Sequence, residues 1–155
     1  MSFVMPKGAK TFFQSIPTIR EGVTKFIMFD QYYACMMVGL DARRIAPEEE
    51  LDGDVFLNAY PEDYRAQADI IAGLLIDAEL VRKGIGPEDK DSIEREMISL
   101  LNPTSPTRLS TDGNLLLNRY AAEGFRIVRD TMLAPANLEE FLVAYFRWWH
   151  SQSVA

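Results

Sequence analysis

The chain has 155 residues, of which 48% are hydrophobic and 25% are charged, and its formal net charge is -7. This length predicts one domain with a core large enough to be stable without covalent cross-links. The single cysteine, Cys35, excludes an intrachain disulfide framework and favours the reducing cytoplasm. The acidic balance argues against nucleic-acid binding, which needs a concentrated basic surface.

The N-terminal third of the chain predicts an irregular arm followed by a long helix. Prolines and a glycine interrupt residues 1–16, so we expect an irregular arm whose rings Phe12 and Phe13 dock on the body. A capping-box pattern beginning at Thr18 predicts a helix that continues to about Arg44. Its longest apolar stretch is interrupted by polar residues and is too short to span a bilayer, so we expect no membrane association.

The middle of the chain predicts a short acidic helix after Pro47, a turn at residues 52–54 and then a helix over Glu62–Lys83. The last of these has an apolar segment, residues 70–76, with no polar face, which predicts that it is surrounded by other elements. Asp69, Gly73 and Asp77 share one strip of this helix. Two interpretations of that strip remain open. In the first, the glycine is a close packing contact and the two acids are solvated or paired with arginine. In the second, the strip is a functional site.

Three further helices are predicted in the C-terminal half, beginning at Pro87, at Ser110 and at Asn137. Residues 151–155 read as a frayed tail. The chain shows no sustained period-two alternation, which would indicate strands. The predicted fold is therefore all-α, a single domain over residues 1–155 forming an orthogonal or up-down bundle of five to six helices without a sheet.

A carboxylate on an apolar helix stripe predicts a candidate site at Asp30, because an unpartnered charge there would be costly. One interpretation is structural, an ion pair with an arginine or a hydrogen bond to a tyrosine. The other is a ligand pocket in which the carboxylate orients a bound molecule. The predicted lining of that pocket is Asp30, Tyr32, Tyr33, Met36 and Met37. Cys35 in the same stretch is predicted to be a buried structural thiol.

The last helix predicts an interaction surface, because aromatic residues and arginine dominate the energetics of protein interfaces. The predicted contact residues are Phe141, Tyr145, Arg147, Trp148 and Trp149. More helices lack a polar face than one small bundle can enclose, which favours a homodimer or another protein partner. The alternative is a monomer in which both tryptophans fold back on the Tyr32–Leu40 face.

No residue pattern in the chain is typical of catalysis, a metal site or a cofactor. The one histidine, His150, excludes the paired Glu-x-x-His pattern of di-iron bundles, and no base, nucleophile and orienting group occur in a recognisable arrangement. We therefore predict a non-enzymatic, self-associating protein-interaction domain with no metal or cofactor. The alternative function is the binding of a hydrophobic small molecule in an interhelical pocket near Asp30.

Overall fold

The computed structural model describes residues 2–17 and 26–152, and 63% of this part of the chain is helical. The elements in chain order are β1 (Phe3–Pro6), α1 (Ala9–Phe12), α2 (Met28–Ala42), β2 (Leu51–Leu57), α3 (Ala68–Arg82), α4 (Lys90–Leu100), α5 (Thr111–Thr131) and α6 (Leu138–Gln152), with 3-10 turns at Glu48–Glu50 and Glu62–Gln67. The prediction that helices cover well over half of the residues is confirmed. No helix in these two ranges is long and apolar enough to cross a membrane.

The expectation of a fold without a sheet is wrong, because β1 and β2 form a two-stranded antiparallel sheet with Phe3 opposite Leu57 and Pro6 opposite Leu51. The irregular arm predicted for residues 1–16 and the turn predicted at residues 52–54 are wrong for the same reason. All four residues of β1 are buried, so this strand has no alternating pattern to recognise. The turn-like residues of β2 lie in the largely exposed middle of the strand, where packing does not exclude them.

Asn118 of α5 connects the first strand to the body through three side-chain hydrogen bonds. Its Oδ1 accepts hydrogen bonds from the Val4 amide at 3.2 Å and from the Tyr32 hydroxyl at 2.7 Å. Its Nδ2 donates to the Ser2 carbonyl at 2.8 Å. A buried amide with a partner for both its oxygen and its nitrogen stabilises one arrangement of the chain, so the N-terminal residues belong to the core.

The centre of the fold is the pair formed by α2 and α5, which meet at glycines on both sides. A Cβ atom added at Gly39 would lie 1.8 Å from the Tyr120 carbonyl oxygen, and one added at Gly124 would lie 1.6 Å from the Cys35 carbonyl oxygen. The two backbones are therefore in direct contact. Helix α2 is buried on almost every side, so it takes the surrounded position that the sequence predicted for the Glu62–Lys83 helix.

The long helix predicted from Thr18 to Arg44 has its predicted start outside the described residues. Phe26 and Ile27 precede α2 without helical structure, so an unbroken helix from Thr18 to Arg44 is wrong. Helix α2 begins at Met28 because the Asp30 side chain accepts a hydrogen bond from the Ile27 amide at 2.7 Å, which satisfies a free donor at the helix start.

The helix predicted over Glu62–Lys83 is present as a 3-10 turn that continues into α3, and Gly84 follows it with a left-handed φ of 70°. The prediction that this helix is surrounded is wrong, because Ile70 is 62% exposed and nothing described lies within 4 Å of a Cβ atom built on Gly73. Asp77 pairs with Arg43 at 3.1 Å on the surface. The strip of Asp69, Gly73 and Asp77 therefore faces solvent within the part of the chain that the structure describes.

The predicted starts at Ser110 and Asn137 are confirmed by side-chain caps, whereas the helix predicted to begin at Pro87 begins three residues later, at Lys90. Side chains of Asp89, Ser110 and Asn137 each accept a hydrogen bond from the amide three residues later, at 3.2, 3.0 and 2.9 Å. Glu123 of α5 is a buried carboxylate. Two arginines pair with its carboxylate, Arg126 at 2.8 Å and Arg44 at 3.2 Å, and these charges lower the pKa of Glu123.

Candidate functional site

A cleft of about 330 Å³ separates α2 from α6, and we call it the Asp30 cleft. The first turns of α2, the 3-10 turn before α3 and the first half of α6 supply its walls. Its lining residues are Phe26, Asp30, Tyr33, Ala34, Tyr64, Leu138, Phe141, Leu142 and Tyr145. Asp30 is the one charged side chain in this lining, and all the others are aromatic or aliphatic.

Asp30 is the third residue of α2, where a negative side chain is favoured by the partial positive charge of a helix N-terminus. Its Oδ2 accepts from the Ile27 amide at 2.7 Å, and its Oδ1 accepts a short hydrogen bond from the Tyr64 hydroxyl. Of the two structural partners that the sequence suggested, the tyrosine is therefore the one observed. No lysine, arginine or histidine in residues 2–17 and 26–152 forms an ion pair with Asp30.

Aromatic rings contributed by three separate elements form most of the cleft wall. Tyr33 and Tyr64 lie with ring centroids 5.0 Å apart on one side. On the other side, Phe141 contacts Phe26 at 5.8 Å and Tyr145 at 5.4 Å between centroids. Tilted pairs at these distances are favourable and fix the ring positions. The wall is therefore a set of defined aromatic surfaces around one carboxylate.

Two of the three tyrosine hydroxyls in the cleft lining, those of Tyr64 and Tyr145, are engaged within the protein, and both groups have raised pKa values. Burial raises the pKa of Tyr64, and its hydrogen bond to Asp30 and the negative charge there raise it further. Burial likewise raises the pKa of Tyr145, whose hydroxyl donates to the Ala34 carbonyl oxygen at 2.7 Å. This last bond anchors α6 on α2. The cleft thus presents ring surfaces and a carboxylate.

The structure brings two of the five predicted ligand residues, Asp30 and Tyr33, to the cleft. Tyr32 and Met36 are fully buried in the core instead, because they face away from the cleft side of α2, and the Tyr32 hydroxyl bonds to Asn118. Met37 packs against the core and does not line the cleft. The prediction placed all five together because α2 is apolar all round, so its sequence does not distinguish the face toward α5 from the face toward α6.

Sequence reasoning missed Tyr64 and the α6 side of the cleft. Tyr64 is 34 residues from Asp30, and Tyr145 is 111 residues from Ala34. Periodicity groups residues within a helix and carries no signal about which helix faces which. The one available signal was the four-residue spacing of Phe141 and Tyr145, which places both rings on the same side of α6.

The predicted interface residues of α6 are distributed over more than one face. Phe141 is 2% exposed and packs on Phe13 with ring centroids 5.0 Å apart, and Tyr145 faces α2. Trp148 and Trp149 are half-buried against the core, which agrees in part with the alternative in which both tryptophans fold back on the protein. Arg147 is exposed. On α6, the exposed large apolar residues are Leu142, Val143 and Phe146, with exposed fractions of 50%, 48% and 66%. We call these three residues the α6 outer face.

A larger groove of about 710 Å³ lies beside the end of β2 and the start of α2. Its lining contains no charged side chain: Ile27, Met28, Phe29, Phe56, Leu57, Asn58, Ala59, Tyr60 and Pro61. The Asp30 cleft is smaller, but its carboxylate can discriminate between ligands by charge. It is therefore the stronger candidate for a ligand site.

Cys35 is buried, as predicted, and burial raises the pKa of its thiol, so it is an inert thiol of the core. Among the described residues, no group of three or more His, Cys, Asp or Glu side chains could hold a metal ion. No protein-family model matches the sequence, and no curated protein or solved structure is significantly similar to it.

Proposed function

We propose that this chain is a helical-bundle protein of the cytoplasm that acts by binding another protein, and that its partner is a second copy of itself. The observation that supports this proposal is the α6 outer face, where Leu142, Val143 and Phe146 are each about half or more exposed. Clustered apolar side chains exposed on a helix are typical of protein-interaction sites. Binding through this face requires no catalytic group.

The α6 outer face is a better candidate than the exposed side of α3. Ile70 and Val81 are also exposed there, but they lie three helical turns apart with the charged Asp77 between them. On α6 the apolar residues are adjacent, include an aromatic ring and lie next to Arg147. Aromatic residues and arginine contribute most of the energy in known interfaces.

The charges on α6 suit an antiparallel pairing of two copies. Glu139 and Arg147 are exposed, lie on the same side of the helix as Val143 and are each four residues from it. If the two-fold axis of a dimer passes near Val143, Glu139 of each copy faces Arg147 of the other. A closed two-fold interface of this kind buries the same patch on both chains, and its charge pattern favours the antiparallel register.

Light scattering or sedimentation equilibrium at micromolar concentration tests this proposal. We expect a mass close to twice 17.6 kDa for the intact chain and a monomeric mass for Leu142→Ser/Phe146→Ser. The matched control is Ile70→Ser/Val81→Ser on α3, which should remain dimeric. A mass of 17.6 kDa for the intact chain at every concentration contradicts self-association, as does a control that dissociates equally.

The antiparallel register has its own test. Glu139→Arg and Arg147→Glu should each weaken the dimer, because each variant places like charges opposite one another. The double variant should restore it, since the pairs are then re-formed with their signs exchanged. Failure of the double variant to recover would contradict this register.

A second candidate function is the binding of a hydrophobic small molecule in the Asp30 cleft. The observation that favours it is a carboxylate with no described ion-pair partner in an otherwise apolar, aromatic-lined cleft. Native mass spectrometry of protein purified without denaturation tests it through a bound mass that is lost in Phe141→Ala. An unliganded mass together with no uptake of the small molecules named below contradicts it.

A further inference from the structure

We propose that the Asp30 cleft binds an organic cation, an alkylated ammonium group whose charge faces the Asp30 carboxylate and whose alkyl groups lie on the surrounding rings. This inference rests on the second candidate function and names its ligand class. Leu142 lines the cleft and also belongs to the α6 outer face, whereas Asp30, Tyr33 and the other residues argued below belong to the cleft alone.

The negative charge of Asp30 is the first reason to expect a cation in the cleft. Asp30 is half-buried and receives hydrogen bonds from two neutral donors, the Ile27 amide and the Tyr64 hydroxyl. Neutral donors solvate a carboxylate but leave its net charge uncompensated. A carboxylate can accept about four hydrogen bonds, so part of its acceptor capacity remains. With no ion pair to Asp30 among the described residues, a cation in the cleft would supply the missing charge.

The second reason is the chemistry of the wall. A cation within about 6 Å of an aromatic ring face is attracted by the ring quadrupole, and alkylated ammonium groups are bound in proteins by cages of such rings. Tyr33 and Tyr64 stand beside Asp30, and Phe26, Phe141 and Tyr145 form the opposite wall. Alkyl groups on the nitrogen also gain from contact with the aliphatic part of the lining.

The cleft disfavours polyhydroxylated and anionic ligands. The Tyr64 and Tyr145 hydroxyls are already used, by Asp30 and by the Ala34 carbonyl oxygen. A sugar or another polyhydroxylated ligand would therefore find few hydrogen-bonding groups and would lose solvation. An anion would be repelled by Asp30. The cavity volume, about 330 Å³, is near the lower limit of about 300–1,000 Å³ for ligand sites, which suits a compact cation.

A titration followed by heteronuclear NMR tests the inference with two matched probes. Choline carries a trimethylammonium group, and 3,3-dimethylbutan-1-ol is its neutral isostere with carbon in place of nitrogen. We expect choline to bind about tenfold more tightly than the isostere, a difference typical of a desolvated cation–π contact with a nearby carboxylate. The shifted resonances should belong to residues of the Asp30 cleft.

Variants of the lining locate the binding. Asp30→Asn keeps the size of the side chain and an acceptor oxygen, and it should reduce the preference for choline to less than about threefold, whereas Asp41→Asn on the exposed side of the same helix should leave it unchanged. Tyr33→Leu should weaken choline binding about tenfold and Tyr33→Phe should not, because phenylalanine retains the ring. If Asp30→Asn does not fold, the Tyr33 pair decides the question.

The outcomes distinguish the cationic ligand from small-molecule binding in general. Saturable choline binding that depends on Asp30 and on the Tyr33 ring supports the inference. Equal binding of choline and its isostere in the cleft overturns the cationic ligand but leaves small-molecule binding in place. Absence of saturable binding for both probes and for tetramethylammonium overturns the cationic ligand, and together with an unliganded native mass it also overturns small-molecule binding. Binding that Asp30→Asn and Tyr33→Leu leave unchanged shows that the cleft is not the site.

Discussion

Gly39 and Gly124 set the distance between the two central helices. A methyl group at either position would overlap a carbonyl oxygen of the facing helix, at 1.8 and 1.6 Å. Backbone atoms cannot rotate away as the end of a flexible side chain can, so the helices would have to separate. We expect Gly39→Ala and Gly124→Ala each to lower the free energy of unfolding by at least about 3 kcal/mol, measured by urea denaturation.

Gly73 provides the matched control for this prediction. It lies inside α3, and nothing described lies within 4 Å of a Cβ atom built there. Alanine favours a helix over glycine, so Gly73→Ala should be neutral or stabilise the protein by about 0.5–1 kcal/mol. Equal destabilisation at all three glycines would contradict the direct contact of α2 and α5.

Asp30 contributes to stability through two hydrogen bonds, whatever it binds. Tyr64→Phe removes one of them and should cost about 1 kcal/mol, while Tyr33→Phe, which loses no hydrogen bond that the structure defines, should cost less. Asp30→Leu leaves both the Ile27 amide and the Tyr64 hydroxyl without this acceptor and should cost about 2 kcal/mol. Denaturant midpoints for the three variants test this order, and a neutral Asp30→Leu would show that both donors are solvated.

At the scale of the element, α6 has one side that supports the fold and one that does not. Phe141 is almost fully buried, and Phe146, five residues later, is mostly exposed. Phe141→Ala should cost about 3–5 kcal/mol because it leaves a cavity among packed rings. Phe146→Ala should change the stability of the dilute monomer by less than about 0.5 kcal/mol. Thermal or urea unfolding at low protein concentration distinguishes them, and similar costs would contradict this orientation of α6.

The starts of the helices could be predicted from sequence where the signal is local. Ser110 and Asn137 are observed as the predicted side-chain caps, since a cap and its amide lie within one turn, whereas Asp89 caps a helix that was predicted to begin at Pro87. The strands could not be predicted. β1 is fully buried and the strand opposite it carries Asp52, Gly53 and Asp54, so the pairing depends on the neighbouring body of the protein.

The candidate site was predictable from sequence at two of its residues, Asp30 and Tyr33. The apolar surroundings of Asp30 indicated that the carboxylate needed a partner, and a tyrosine partner is observed. Long-range packing determines which tyrosine bonds to Asp30 and places α6 on the opposite wall of the cleft. Tyr32 and Met36 were assigned to the pocket because the same apolar helix also faces α5.

For the whole molecule, tyrosine burial predicts a loss of stability in alkali. Burial is the main cause that raises the pKa of Tyr32, Tyr60, Tyr64, Tyr120 and Tyr145. In the unfolded chain these groups lose their protons near pH 10. Because their folded pKa values are higher, the stabilising contribution is complete below about pH 10 and decreases as the pH rises above it.

Absorbance of ionised tyrosine and circular dichroism, recorded together across an alkaline titration, check this expectation. The buried tyrosines should ionise only as the helical signal is lost. Ionisation of all six tyrosines near pH 10 with the helical signal intact would contradict their burial.

The orientation of α6 is the claim on which both proposals depend, and nuclear Overhauser contacts measure it directly. We expect contacts from the Phe141 ring to Phe13, and from the Tyr145 ring to Ala34, whose carbonyl oxygen accepts the Tyr145 hydrogen bond. The Phe146 ring should show no contact to α2 within one chain. Contacts from Phe146 or Leu142 to Phe13 and Ala34, in place of those from Phe141 and Tyr145, would contradict the account.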